Sequence, residues 1–200
     1  MAFTFFFRDR HTLEQLVKVH LAANPEGNIK VWDAGCAMGP EPYTFAIILS
    51  MNLGNEEYKK RVKIYASDID ETSNFEETVK KGIYPYSDLS RMPENVLEEY
   101  FHPAGMDGFY KINDFILSSM DYQRHDLLTL EPIDKDFDII ICKNVLLHFQ
   151  PDQRIEVIKM FQRVLKPGGL LVTEQTQKMP DQCSGLFDKT VTDANIFRKI

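Results

Sequence analysis

Residues 29–43 read Ile29-Lys30-Val31-Trp32-Asp33-Ala34-Gly35-Cys36-Ala37-Met38-Gly39-Pro40-Glu41-Pro42-Tyr43. The run from Ile29 to Ala34 has the length and apolar character of a strand buried on both faces. A loop with two glycines, Gly35 to Pro40, follows it. A helical pattern then takes over from about Glu41 to Leu53. Strand, glycine loop and helix in that order open a βαβ unit.

Working outward, the same alternation continues. Val62 to Ala66 predicts a second strand, ending at Ser67-Asp68, and Glu71 to Lys81 a helix stopped by Gly82. Phe137 to Cys142 (FDIIIC) is nearly all apolar, as a central parallel strand requires. Gln153 to Leu165 reads as a helix halted at Lys166-Pro167-Gly168-Gly169, and Leu170 to Thr173 as the next strand. Upstream, residues 12–23 form an amphipathic helix with Leu13, Leu16, Val17 and His20 at helical spacing, Thr12 as its candidate cap and a turn at Asn24 to Gly27. The middle is less regular. Tyr84-Pro85-Tyr86 is extended or a turn, Glu94 to Tyr100 a short helix, and residues 108–124 suggest a small β insert. Phe187 to Ile200 can supply a closing hairpin. The expected fold is α/β, Rossmann-like: one domain over residues 1–200, with a doubly wound, mostly parallel sheet and a small inserted β-hairpin subdomain.

Composition narrows the function. The chain has 200 residues, 44% hydrophobic and 26% charged, enough for a sizeable core. Its formal net charge of −7 argues against phosphate-driven binding to nucleic acid. Lys59-Lys60-Arg61 is a local basic candidate that reads better as a solvated helix end or turn. Cys36, Cys142 and Cys183 are odd in number and lack CxxC spacing, which speaks against a disulfide framework and a zinc site. No metal need is visible. The apolar start, Met1 to Phe7, is too short for a signal sequence or a membrane span. A cytoplasmic, non-membrane protein is expected.

Open α/β sheets bind ligands just beyond the carboxyl ends of their strands. The loop Asp33 to Gly39 is close to the D-x-G-x-G-x-G loop of S-adenosylmethionine enzymes, with Ala37 at the middle glycine. Asp68, at the end of the second strand, can accept from both hydroxyls of a ribose; capping the next helix is its plainer role. A dinucleotide needs free N–H groups at a helix start for its pyrophosphate. Pro40 and Pro42 remove two donors there and Glu41 adds a negative charge, which suits a ligand without pyrophosphate. First-turn compensation of the helix dipole is a compatible role for Glu41. Asp126 can accept from an adenine amino group or cap a helix. Lys143-Asn144 faces the methionine end of such a cofactor or forms an ordinary polar turn.

These residues resemble the CheR family of chemotaxis receptor methyltransferases, which are protein-glutamate O-methyltransferases. Thr4 to Arg8 looks like its T-x-F-F-R segment and Ala34 to Tyr43 like its A-G-C-S-T-G-E-E-P-Y loop. Ala66 to Asp70 and Gly82-Ile83-Tyr84 fit the segments that follow. Phe137 to Val145 resembles F-D-x-I-x-C-R-N-V, and Leu165 to Gly169 resembles L-x-P-G-G. The resemblance implies S-adenosylmethionine as cofactor and S-adenosylhomocysteine as product. It implies cofactor contacts from Thr4, Arg8, Glu41, Asp68, Asp126, Leu127, Lys143 and Asn144, beside Gly35 of the loop. It also implies that Arg8 lies near the transferring methyl, that the small insert can contact receptors, and that the partners are chemoreceptor cytoplasmic helices.

The chain departs from the family in places. The family carries a helical domain ahead of T-x-F-F-R, whereas this sequence opens almost at the motif, so a catalytic domain without that unit is expected. An asparagine of the family is Ala2 here, its Ser-Thr is Ala37-Met38, its first loop glutamate is Pro40, and its R-N is Lys143-Asn144. Lysine does not offer arginine's planar fork. A tyrosine near the methyl is His148, which can serve as a polar lid, as a general base or as a packed histidine. The family's G-x-S-E appears as Glu174-Gln175-Thr176-Gln177. Three functions stay open on these grounds: glutamate methylation, methylation of another protein or of a small molecule, and an inactive cofactor-binding interaction module. A dehydrogenase ranks below all three.

Overall fold

A computed structural model of the chain describes residues 4–71 and 74–200. Met1 to Phe3, and with them the Ala2 position, lie outside the described residues, as do Thr72 and Ser73 at the expected start of a helix. The chain opens with α1 (Arg10–Ala23), β1 (Ile29–Ala34), α2 (Pro40–Leu53), α3 (Asn55–Arg61), β2 (Val62–Asp68) and α4 (Phe75–Lys81). Short elements follow: β3 (Ile83–Pro85), α5 (Tyr86–Leu89), α6 (Glu94–Tyr100), β4 (Phe101–Pro103), β5 (Phe109–Ile112) and α7 (Asp114–Leu117). The second half holds β6 (Met120–Arg124), β7 (Phe137–Cys142), α8 (Pro151–Val164), β8 (Leu165–Thr173), β9 (Phe187–Lys189) and β10 (Ile196–Lys199).

Seven strands form one sheet in the order β6-β2-β1-β7-β8-β10-β9. The first five run parallel, and the β9–β10 hairpin closes the edge antiparallel. Successive side chains of a strand point to opposite faces. Ile29 and Val31 therefore join one core with Ile139, Ile141, Leu170 and Val172, while Trp32 and Ala34 join the other with Ile140, Cys142 and Leu171. The first face is packed by α1 and α2, the second by Val157, Ile158, Phe161 and Val164 of α8. Both faces are covered, which is why β1 and β7 read as nearly unbroken apolar runs. Pro40 and Pro42 sit in the first turn of α2, where the missing N–H groups cost no intrahelical bond.

Two expectations are revised, and the reading of the basic run as a helix end holds. The insert is a three-stranded antiparallel sheet, β3-β5-β4, within residues 83–112, and not a hairpin over 108–124. Met120 to Arg124 instead pairs in parallel with Ile64 to Asp68 as an edge of the main sheet. Its alternating exposure, a consequence of the edge position, hid that membership. Thr12 does not cap α1. The helix begins at Arg10 after Asp9, whose backbone is left-handed at φ 51°, and Thr12 is buried inside it. Lys59 and Lys60 end α3 paired to Glu56 and Glu57, and the Arg61 guanidinium donates to the Gly27 carbonyl at 2.9 Å, so the basic run is a locally compensated helix end.

Candidate functional site

A cavity of about 540 Å³ opens beyond the carboxyl ends of the parallel strands. Its wall contains Thr4, Arg8, Gly35, Glu41, Asp68, Asp126, Leu127, Lys143, Asn144 and His148, so the candidate catalytic and cofactor-contact residues converge there. Position explains the convergence, because β1, β2, β6 and β7 run parallel and their exit loops share one edge.

The loop after β1 is held from below. The Gly35 and Cys36 N–H groups donate to the Ser67 carbonyl at 2.8 and 3.0 Å. Asp68 accepts from the Ala37 N–H at 2.9 Å and from the Asp70 N–H at 3.3 Å. Ala37 has φ 47°, so the residue in the middle-glycine position keeps a glycine-like backbone. Gly35 has φ 109°, and a Cβ there would lie 2.1 Å from Cγ2 of Val145. No other residue fits without moving the opposite wall. Helix capping, the plainer role weighed for Asp68, falls to Asp70, which accepts from the N–H groups of Asn74, Phe75 and Glu76.

Asp126 does cap, accepting from the Leu128 N–H at 2.9 Å ahead of the 3-10 turn Leu127–Thr129. Beside it, Ile69 and Leu128 are exposed apolar side chains on the cavity wall. An apolar strip flanked by two carboxylates suits a purine nucleoside.

The opposite end is charged. The Lys143 side chain is 1% exposed and bridges Glu41 at 2.9 Å and Asp9 at 3.0 Å. Burial pulls its ammonium down, but the two carboxylates more than offset this and hold it above its ordinary value. The Arg8 guanidinium donates to Oδ1 of Asn144 at 3.1 Å. The segment carrying Arg8 is anchored by Phe6, fully buried edge-on against Tyr84 and Phe101. The Phe7 N–H donates to Oγ1 of Thr44 at 3.0 Å. His148 sits exposed on the cavity rim, in the 3-10 turn Leu146–His148, so its packed-histidine reading is set aside.

Sequence reasoning gave no site role to three further groups: Asp33 and Glu174, which it named only within the loop and the segment after the last parallel strand, and Asp9. Asp33 is buried with neither carboxylate oxygen hydrogen-bonded among the described residues, and burial, with the nearby Glu41 charge, pushes its carboxyl well up. Asp9 joins Lys143, and Glu174 reaches Asn144. Asp33 carried a signal as the acid that opens the glycine loop; the pairings of Asp9 and Glu174 are long-range and leave no local spacing.

A carboxylate past β2, an apolar strip, and an ion-paired end beside a proline-bounded helix start fit a nucleoside joined to a zwitterionic amino acid. They do not fit a pyrophosphate. The fold and cavity thus define an α/β domain for an adenosine-bearing cofactor of the methyl-donor class. Residues 2–196 match the family model of the CheR methyltransferase, SAM binding domain. The chain belongs to the CheR methyltransferase family, and S-adenosylmethionine is its domain's cofactor.

Relatives agree. The chain is 32% identical over 171 residues to a chemotaxis protein methyltransferase of Listeria monocytogenes, covering 83% of this chain and 61% of that one. It is likewise 32% identical to a chemotaxis protein methyltransferase of Escherichia coli K12, covering 84% of this chain and 58% of that one. The chain therefore spans about three fifths of the length of these curated relatives. In shape it is similar to the DszA carbon methyltransferase, with a TM-score of 0.50 at 16% identity over 82% of this chain and 35% of that one, a likeness of fold alone. Among the described residues no helix is long and apolar enough to cross a membrane, and no cluster of metal-ligating side chains occurs.

Proposed function

We propose that this chain transfers the methyl group of S-adenosylmethionine to glutamate side chains on the cytoplasmic helices of chemoreceptors. The observation that carries this reading is the Arg8 guanidinium, held by Asn144 at 3.1 Å on the wall of the cofactor cavity. A fixed cation at that end orients an anionic acceptor. The bound cofactor supplies an electrophilic methyl on a sulfonium.

Little acid–base help is needed. A glutamate has a reference pKa of about 4.3 and is already the nucleophile at neutral pH. The protein's task is alignment, with reacting atoms at roughly 3–3.5 Å and in line. An anion and a sulfonium neutralise each other as they react, so a water-poor pocket favours the transition state. Arg8 must orient the carboxylate without pairing so tightly that it holds the nucleophile back. Asn144 serves that balance by taking part of the guanidinium's hydrogen bonding. Asp68 and Asp126 would hold the ribose and the adenine, with Leu127 beside the ring. Thr4, Gly35, Glu41 and Lys143 would shape and charge the methionine end.

The test uses isotopically labelled cofactor and a receptor cytoplasmic fragment. The expected product is an ester that releases methanol in alkali. An alkali-stable product excludes glutamate and points to another acceptor. The exposed ring of His148 on the rim favours that second reading, since it is free of the core and placed to take a proton from a hydroxyl or amine. A His148→Phe variant separates the two. Turnover unchanged at every pH fits a carboxylate acceptor, whereas a loss of turnover with a changed pH profile fits a base.

A further inference from the structure

The segment leaving β8, Glu174 to Gln177, departs from the family pattern, yet its first residue has a defined partner in the site. β7 and β8 are parallel neighbours with Cys142 opposite Thr173, so residues just past each strand emerge side by side. Glu174 is 3% exposed. Its Oε2 accepts the backbone N–H of Asn144 at 3.2 Å, and its Oε1 is buried without a hydrogen-bond partner among the described residues. Asn144 stands at φ 59°, the left-handed region that asparagine tolerates better than most residues but still reaches at a cost. From there its Oδ1 accepts from the Arg8 guanidinium.

We propose that Glu174 is a positioning residue for Arg8. Its carboxylate holds the Asn144 backbone in the left-handed turn, and Asn144 in turn sets the guanidinium against the cavity. The inference rests on the cofactor site described under the proposed function. The segment itself is secured by other means. The Asn195 side-chain amide donates at 2.8 Å to the backbone carbonyls of Glu174 and of Gln177. Those bonds use no atom of the Glu174 side chain, so replacing that side chain should disturb Asn144 before it loosens the segment.

The experiment is a double-mutant cycle on S-adenosylhomocysteine affinity by calorimetry, with melting temperatures recorded for each variant. Glu174→Met keeps the volume and removes the acceptor, and is expected to weaken binding tenfold or more. Glu174→Ala is a second variant of the same kind in case the first does not fold. Glu174→Gln keeps an oxygen for the Asn144 N–H and is expected within threefold of wild type. Combining Glu174→Met with Arg8→Ala should bind within twofold of Arg8→Ala alone, because both act through one contact. Multiplying effects in the double variant, binding by Glu174→Met within twofold of wild type, or no rescue by Gln would each overturn the proposal. Asp68→Ala is the control: weakened binding there, with an additive cycle at Glu174, leaves the cofactor site standing and this inference fallen. Failure of wild type to bind removes both.

Discussion

At the scale of the residue, two positions carry the cofactor reading. Asp68 faces the cavity and also holds the Ala37 N–H at 2.9 Å, so Asp68→Ala would remove the proposed ribose contact and a loop strut together. S-adenosylhomocysteine affinity should fall at least tenfold, about 1.4 kcal/mol, in a calorimetric titration. Gly35 faces Val145 across the loop, and its φ of 109° disfavours any side chain. Gly35→Ala should abolish measurable binding and lower stability by about 1–3 kcal/mol. Adding Val145→Ala relieves the 2.1 Å clash but not the backbone strain, so the double variant should recover part of the stability. Full recovery would mean that the conformation costs nothing. Sequence pointed to both residues, because a carboxylate after a strand and a glycine after a strand have local signatures. Glu174 has none, since its task depends on a residue 30 positions away.

At the scale of the element, Lys143 ties three pieces of chain together. It follows β7, pairs with Glu41 in the first turn of α2, and reaches Asp9 ahead of α1. Lys143→Met would leave the Glu41 carboxylate, 12% exposed, without its cation. Breaking a buried pair from one side costs about 3–5 kcal/mol, so a fall of that order in urea-unfolding stability is expected, with cofactor binding weakened through Arg8's neighbour Asp9. Glu41→Gln in the Lys143→Met background should restore much of the stability, as the buried carboxylate then goes with its cation and only the half-exposed Asp9 is left. A single loss below 1 kcal/mol would show the pair to be solvated. The insert marks the limit of reading elements from sequence. Its strands have only three or four residues each, too short for a period-two pattern, and β6 looked like part of it because both are amphipathic.

At the scale of the whole molecule, buried charge shapes the response to pH. Burial raises the Asp33 carboxyl well above its ordinary value near 3.8, so the folded state holds a proton that the unfolded chain has released. Stability from this group is complete below the ordinary value and is lost as pH rises through the folded one. Asp33→Asn should therefore raise the urea midpoint more at pH 8 than at pH 5. An equal shift at both would mean that Asp33 is solvated or paired. His20 works on the acid side. Burial lowers its pKa below 6.5, so the unfolded chain takes up a proton first and stability falls as pH drops through that window.

What the sequence by itself determined is the set of properties written in short range. The strand–glycine-loop–helix order, the apolar runs of β1 and β7, the proline-bounded start of α2 and the acids after two strands are all local. Each follows from backbone stereochemistry or from a strand that must be apolar on both faces. Only the tertiary structure decided which exits share an edge, that β6 belongs to the main sheet, that Asp9 and Glu41 neutralise Lys143, and that Glu174 stands behind Asn144. Those outcomes depend on strand order and on pairings across tens of residues. The chain leaves no local mark of them, because the physical partner of each group is chosen by the sheet and not by its neighbours in sequence.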